Sequence, residues 1–192
     1  MENKDYIVVV SGLPRSGTSM MMKMLEAGGQ MILTDNIRQA DANNPNGYYE
    51  FERVKKLKEG DFEWIPDSKG KVVKIITGLI MQLPSDHQYK IIFMERMMNE
   101  VLSSQKKMLR RLGKDDDRVA DEKMAKIYHE HLKQVNAWLT KQQNIKVLYV
   151  NYNAMLDDPL ASLEKVNEFL GGGLDVNAMA GVVNKELYRE RR

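Results

Sequence analysis

The stretch Tyr6–Ser19, with the sequence YIVVVSGLPRSGTS, determines the fold class of this chain. Its first part, Tyr6–Val10, is a short continuous run rich in β-branched residues, which is typical of a strand buried on both faces of a parallel sheet. The turn-rich segment Ser11–Ser19 follows, and Met20–Ala27 then consists of good helix formers that end at two glycines. A strand, a glycine-bearing loop and a helix in this order begin a β–α–β unit.

The alternation of strand and helix patterns continues along the chain. Apolar runs predict three further strands, at Lys71–Ile76, Tyr89–Met94 and Ile145–Val150. Helix-forming composition and apolar spacing predict three further helices, at Asn99–Leu112, Ala120–Gln142 and Pro159–Leu170. Because strands that alternate with helices favour a parallel sheet covered on both faces, we expect a three-layer α/β/α protein, with residues 1–192 as a single domain.

Composition and charge exclude several classes of protein. The chain has 192 residues and a formal net charge of +2, from 29 Lys and Arg against 27 Asp and Glu, without a continuous basic block. A nucleic-acid coat or a membrane-surface binder normally shows a stronger bias, so we expect no nucleic-acid and no membrane partner. There is no cysteine, which excludes disulfides, thiolate metal sites and a cysteine nucleophile. Without a signal-peptide pattern or an apolar stretch near the ~20 residues that span a bilayer, we expect a cytoplasmic protein.

The segment Ser11–Ser19 has the pattern of an anion-binding loop. Gly12 and Gly17 have the G-x-x-x-x-G spacing of a phosphate loop, and Thr18 begins the following helix. Such a loop turns backbone N–H groups inward, and the helix adds the positive end of its dipole. The alternative is a plain turn between a strand and a helix, which the hydroxyl groups and the Arg15 charge around the turn disfavour.

This loop differs from the Walker loop of nucleoside-triphosphate-binding proteins. That motif places Lys directly after the second glycine, where this chain has Thr18. The positive charge stands earlier, at Arg15, where it meets the first anionic group at the loop rather than the far end of a triphosphate. The pattern therefore favours a nucleotide with a short 5′ anionic tail over ATP or GTP.

With these residues in view, the chain resembles the P-loop sulfotransferases, and its loop is most similar to bacterial members and to the tyrosylprotein sulfotransferase branch. Val8–Gly29 resembles their 5′-phosphosulfate loop, which is written G-x-P-R-S-G-T-[ST]. The resemblance implies a P-loop NTPase-like α/β/α fold and the donor 3′-phosphoadenosine 5′-phosphosulfate (PAPS). It also implies that six loop residues hold the phosphosulfate: Pro14, Arg15, Ser16, Gly17, Thr18 and Ser19.

Two further segments carry the resemblance. Ile91–Gln105 contains Arg96 after a strand and Ser104 eight positions later, the pair that holds the 3′-phosphate in the family. A guanidinium and a hydroxyl on the first turns of a helix can converge on one phosphate. Val147–Gly172 resembles the late strand, turn and helix of these enzymes and carries no chemical assignment.

The chain also departs from the family at two places. Cytosolic sulfotransferases carry K-T-H in the strand that Lys71–Ile76 resembles, so Lys74 matches and Ile76 stands where their catalytic His stands. Their late R-K-G-x-x-G segment, which also contacts the 3′-phosphate, is missing. The candidates to replace it are basic residues near the end of the chain: Lys185, Arg189 and Arg191.

The resemblance implies sulfuryl transfer, which needs a cation for the developing charge and a base for the acceptor's proton. Arg15 is the first candidate for the cation and Lys74 the second. The candidate bases are Asp35, which is as typical of a turn or helix cap, and Glu50, which is also typical of the first turn of a helix. No metal is expected, because Arg and Lys can supply the positive charge. The three histidines, His87, His129 and His131, are poor candidates for the base, because their patterns are those of ordinary surface or helix residues.

The expected function is transfer of a sulfuryl group from PAPS to a hydroxyl or amine of a small-molecule or peptide acceptor. Two alternatives stay open. A P-loop kinase-like phosphotransferase would bind ATP with Mg²⁺, and the absence of Lys after Gly17 counts against it. A non-catalytic nucleotide-binding protein of the same fold is kept open by Ile76 at the position of the His.

Overall fold

A parallel sheet forms the centre of the molecule. The computed structural model describes residues 5–35, 37, 41, 47–114 and 120–183 of the chain. Within these residues, five strands pair in parallel, in the order β2-β3-β1-β4-β5. The strands are β1 (Ile7–Gly12), β2 (Met31–Ile32), β3 (Lys71–Lys74), β4 (Tyr89–Glu95) and β5 (Ile145–Asn151). The predicted parallel α/β sheet is confirmed.

Helices connect and cover the strands. They are α1 (Thr18–Ala27), α2 (Thr77–Ile80), α3 (Met98–Arg111), α4 (Asp121–Leu139), α5 (Tyr152–Asp157), α6 (Pro159–Phe169) and α7 (Val176–Ala180). Two 3-10 helices, Glu52–Glu59 and Pro66–Ser68, lie between β2 and β3. Within the described ranges, no helix combines the length and the apolar character that crossing a membrane requires.

Strand β1 shows why helices cover both faces of the sheet. Every residue of this strand is buried. Because side chains alternate along a strand, Val8 and Val10 face one side and Ile7 and Val9 face the other. The first pair packs with residues of α1, α5, α6 and α7, and the second pair packs with residues of α4, α2 and the first 3-10 helix. The three-layer prediction is therefore confirmed.

The structure differs from the sequence prediction at the end of β3. The pattern predicts a strand over Lys71–Ile76, whereas β3 ends at Lys74. Ile75 still donates its N–H to the Val10 carbonyl and stays buried, but Ile76 is the cap residue of α2 and is 38% exposed. Strand β2 is absent from the prediction, because two residues are too few to show a strand pattern.

The loop after β1 stands at the centre of one edge of the sheet. We call the edge where the strands end the carboxyl edge and the opposite one the amino edge. Strand β1 lies between β3 and β4, with Val10 beside Lys74 and Gly12 beside Met94. Strands that follow β1 in the chain thus lie on both of its sides. In open parallel sheets, ligands bind in the crevice that such an arrangement leaves at the carboxyl ends.

Candidate active site

Two glycines let the loop after β1 fold closely. Gly12 has φ +150°, and a Cβ there would overlap the Ser16 hydroxyl and the backbone of β4. Gly17 has φ +99°, and a Cβ there would overlap the Tyr152 ring. Between them, Arg15 has a positive φ of 73°, which non-glycine residues seldom adopt and which clusters at functional sites. The glycines are therefore required by space as well as by backbone conformation.

Ser16 places a hydroxyl inside this loop. The residue is 2% exposed, and its Oγ has no hydrogen-bond partner. A buried hydroxyl without a partner costs free energy, so this atom points to a ligand that would bond to it. Helix α1 begins directly afterwards, with Gly17 as its cap residue and no side-chain cap. Since the first N–H groups of a helix lack partners within the helix, this end of α1 attracts anions.

Arg15 reaches from the loop to α3. Its Nε donates a hydrogen bond to Ser104 Oγ at 2.9 Å, and Ser104 is 8% exposed. Burial lowers the pKa of Arg15, and the nearby Tyr48 opposes this effect. An arginine keeps its charge despite such a change. The structure thus brings together two residues that the sequence assigned to different anionic groups.

Arg96 connects three elements. Its Nη1 donates to the Arg15 carbonyl oxygen at 3.0 Å, and its Nε donates to Glu100 Oε2 at 2.8 Å. The guanidinium lies over the Tyr152 ring, 4.4 Å from the ring centroid. Tyr152 also packs against Gly17. The loop, the start of α3 and the start of α5 therefore converge on this side chain.

Glu100 also lies at this candidate site, although no sequence pattern named above predicts it. Its side chain is 4% exposed, and its Oε1 accepts a hydrogen bond from Asn153 Nδ2 at 3.0 Å. The available sequence signal is that opposite charges stand four positions apart, at Arg96 just before α3 and at Glu100 in its first turn. No comparable signal exists for Asn153, which is distant in the chain.

Lys74 lies at the end of β3, beside the start of α1. The residue is 8% exposed, and its Nζ donates to the Tyr48 carbonyl oxygen and lies 3.4 Å from Ser19 Oγ. Ser19 Oγ also bonds to the Tyr48 carbonyl oxygen, at 3.5 Å. The predicted second cation therefore contacts the predicted loop, and the backbone at Tyr48 passes over both.

Asp35 and Glu50, the predicted candidates for the base, lie on neighbouring segments. Asp35 accepts backbone N–H groups with both carboxylate oxygens, from Ile37 at 3.1 Å and from Glu52 at 2.6 Å. The second bond holds the start of the first 3-10 helix. Glu50 Oε2 lies 3.6 Å from Lys55 Nζ. Both carboxylates therefore make structural contacts, which agrees with the alternative interpretation of their sequence patterns as a turn or helix-capping residue and a first-turn acid.

A third carboxylate, Asp41, lies on the same side of the site. The Tyr48 hydroxyl donates to it, 2.9 Å from each carboxylate oxygen. Burial lowers the pKa of Arg15, and Asp41 is one of the charges that oppose this effect. The sequence around Asp41 is polar and turn-prone, so nothing in it distinguishes this residue from an ordinary turn acid.

The remaining predicted positions lie elsewhere. His87 precedes β4 and therefore lies at the amino edge, while His129 and His131 belong to α4. Three residues fall outside the described part of the chain: Lys185, Arg189 and Arg191.

Comparison with known protein families and solved structures shows what this chain is similar to. The sulfotransferase domain family matches residues 5–189. A mouse sulfotransferase complexed with PAP is similar in structure, with a TM-score of 0.61 and 17% identity over 98% of this chain and 68% of that chain. Retinol dehydratase in complex with androsterone and the inactive cofactor PAP has a TM-score of 0.53 and 21% identity, over 96% of this chain and 69% of that chain.

A sulfotransferase domain from the curacin biosynthetic pathway has a TM-score of 0.55 and 13% identity, over 93% of this chain and 78% of that chain. No curated protein sequence matches. At these identities the solved structures show a shared fold, which confirms the predicted P-loop NTPase-like architecture. The family match covers nearly the whole chain and favours sulfuryl transfer over the kinase-like alternative. The chain belongs to the sulfotransferase domain family.

Proposed function

We propose that this protein transfers a sulfuryl group from PAPS to a hydroxyl or amine of a small-molecule or peptide acceptor. The observation that carries the proposal is the contact between the two predicted anion sites. Arg15 bonds to Ser104, and Arg96 bonds to the backbone of Arg15. PAPS carries one anionic group at the 5′ end and one at the 3′ position of the same ribose. Two adjacent sites, each with an arginine and a hydroxyl, match such a nucleotide.

The loop fits the 5′ end of this donor. The Ser16 hydroxyl is buried without a partner, and the start of α1 offers backbone N–H groups. Gly12 and Gly17 let the loop fold closely around the Ser16 hydroxyl and against the Tyr152 ring. In the proposal the phosphosulfate is held by the whole loop segment: Pro14, Arg15, Ser16, Gly17, Thr18 and Ser19.

Arg96 and Ser104 fit the 3′-phosphate. The Arg96 side chain is 7% exposed and Ser104 is 8% exposed, so an anion held between them is largely shielded from water. Shielding strengthens hydrogen bonds between charged groups, because fewer water molecules compete for them. Arg96, which lies just before α3, and Ser104, which lies within it, therefore form the second anion site of the proposal.

The transfer forms a bond between the acceptor atom and sulfur and breaks the bond between sulfur and the bridging oxygen of the 5′-phosphate. The donor supplies the activated sulfuryl group. Arg15 and Lys74 stabilise the negative charge that develops on the bridging oxygen, which is the task of a metal ion in many phosphotransferases. The acceptor's proton passes to a carboxylate, for which Asp35 and Glu50 are the proposed groups.

Isothermal titration calorimetry with PAP, the desulfated product 3′,5′-adenosine bisphosphate, tests the donor. Wild-type protein should bind PAP without metal and more tightly than ATP, with or without Mg²⁺. The variant Arg96→Ala should lose affinity by about tenfold or more, because it lacks a charge-assisted contact. The control Arg53→Ala removes a half-exposed arginine that pairs with Asp61, and should bind as wild type does. If the protein bound ATP with Mg²⁺ but did not bind PAP, the proposal would be overturned.

Transfer itself is tested with sulfur-labelled PAPS and a panel of phenols, aliphatic alcohols and amines. Label should appear in at least one acceptor and PAP should accumulate at the same rate. Release of label no faster than in the absence of protein, with PAP binding intact, would support the non-catalytic alternative.

A further inference from the structure

A buried acid stands beside the second anion site. Glu100 is 3% exposed, and its carboxylate lies between Arg96 and Asn153, bonded to both. By Coulomb's law alone, a carboxylate here repels a bound phosphate and weakens its binding. Its position therefore requires another reason than the attraction of the ligand.

The geometry gives that reason. Three contacts constrain the guanidinium of Arg96: Glu100 accepts from Nε, the Arg15 carbonyl accepts from Nη1, and the Tyr152 ring lies against its face. A planar guanidinium held at two nitrogens and one face has a fixed plane and a fixed direction. Asn153 in turn holds the carboxylate by its second oxygen, at 3.0 Å.

We propose that Glu100 is a positioning residue that fixes the guanidinium of Arg96 for a 3′-phosphate, and so sets the preference of the site for a 3′-phosphorylated nucleotide. The inference rests on the proposed function, because it concerns the same donor. Asn153 supports the same arrangement from α5. The role depends on the hydrogen-bond acceptor of Glu100 and not on its negative charge.

The two roles predict opposite signs. If Glu100 acted only through its charge, its removal would strengthen the binding of an anion. If Glu100 positions Arg96, the change Glu100→Ala weakens the binding of PAP, although it removes a negative charge. The change Glu100→Gln removes the charge but keeps an oxygen that accepts from Arg96 Nε. This variant should therefore bind PAP no more than about threefold more weakly than wild type.

The experiment titrates the full chain with PAP and with adenosine 5′-monophosphate (AMP), which lacks the 3′-phosphate. The ratio of the two affinities measures the preference. Glu100→Ala should lower this ratio by about tenfold or more through weaker PAP binding, with AMP affinity unchanged within about twofold. Asn153→Ala should lower it less, by about threefold. The matched control is Glu95→Ala, an exposed carboxylate one residue before Arg96, which should keep the wild-type ratio.

A double variant separates positioning from a general effect on the fold. In the Arg96→Ala background, Glu100→Ala should lower the ratio no further, because the side chain that it positions is absent. Thermal unfolding of each variant shows whether it is folded. Should Glu100→Ala not fold, Asn153→Ala and Glu100→Gln provide the test in its place.

Each other outcome overturns the inference. An unchanged ratio in Glu100→Ala, or in Asn153→Ala where the first variant does not fold, shows that Arg96 needs no such support. Equal losses for PAP and AMP show a structural role for the whole site. A wild-type protein that binds PAP and AMP equally overturns the proposed donor as well, and is distinguished from the other outcomes by the wild-type ratio alone.

Discussion

The carboxyl and amino edges of the sheet hold their polar groups differently. At the carboxyl edge, charged side chains are nearly buried, and Arg96 and Lys74 bond to backbone carbonyls of other segments. At the amino edge, charged side chains are more exposed, and Lys90, which donates to the Phe169 carbonyl at 2.8 Å, is only half-buried. The Tyr6 hydroxyl donates to the Leu170 carbonyl at 2.6 Å, and Lys69 pairs with Asp5 on the surface. Because burying charge is costly, its concentration at the carboxyl edge supports the proposed ligand site there.

A buried hydroxyl without a partner occurs at both edges. Ser16 is in the loop at the carboxyl edge, and Tyr89 begins β4 at the amino edge. Ser16 lies beside the start of α1. Tyr89 instead packs in the apolar cluster between the sheet and α4. In the proposal, the Ser16 hydroxyl bonds to the donor, whereas Tyr89 has no ligand role.

The largest effect is expected for Gly17→Ala. Its control is Gly171→Ala, which has a similar φ of +94° but open space around it and follows Leu170 at the amino edge. Both changes strain the backbone by about 1–3 kcal/mol. Only Gly17→Ala also displaces the Tyr152 ring on which Arg96 lies, so it should reduce PAP affinity by about 100-fold or more. Calorimetry and thermal unfolding check both variants, and equal PAP affinities in the two would contradict the assignment of the carboxyl edge.

A second comparison concerns the two proposed bases. One of the changes Asp35→Asn and Glu50→Gln should lower kcat by about 100-fold and leave PAP affinity unchanged, because a base acts on the acceptor's proton and does not contact the donor. The other variant is the control and should differ from wild type in stability only. Steady-state transfer from labelled PAPS and calorimetry give the two readouts. If both variants keep kcat within about threefold of wild type, the proton passes to another group.

A smaller effect is expected for Ser16→Ala. The change removes a buried hydroxyl that has no partner, so the free energy of unfolding should stay the same or rise. The affinity for PAP should fall by about tenfold, since a hydrogen bond to a charged group is lost. A variant that is less stable than wild type and binds PAP equally well would show that Ser16 is a structural residue.

Sequence patterns predict strand β1 most clearly, because it is buried on both faces. Ile7–Val10 is apolar throughout, and a strand covered on both faces requires this. β2 shows no such pattern, since Met31 is exposed and the strand has two residues. Predicted strand boundaries fail where the chain turns for a local reason, as at Ile76, which caps α2.

The site is predictable where its chemistry lies in a short segment. The loop and the spacing of Arg96 and Ser104 can be read along the chain, and the structure brings these residues together through Arg15. The contacts of Tyr152 with Gly17 and Arg96 join segments that are distant in sequence, so no spacing indicates them. The identity of the base is not encoded by spacing either, because a carboxylate in a turn has the same pattern whether it caps a helix or takes a proton.

The smallest effect concerns Tyr89, the counterpart of Ser16 at the amino edge. Burial raises the pKa of Tyr89, with a smaller contribution from Asp86. An unfolded chain therefore loses this phenolic proton first, so the unfolded state binds fewer protons than the folded state above about pH 10. The contribution of Tyr89 to the free energy of unfolding is constant below that pH, and it decreases as the pH rises above it.

Tyr89→Phe removes this dependence along with the hydroxyl. The variant should match or slightly exceed wild type in stability at pH 7, and its stability should fall less steeply between about pH 10 and pH 12. Urea unfolding across this range measures both, and PAP affinity at pH 7 should be unchanged, in contrast to Ser16→Ala. Parallel stability curves for variant and wild type would mean that Tyr89 ionises equally in both states, while weaker PAP binding would mean that the amino edge is coupled to the site and that the two edges are not independent.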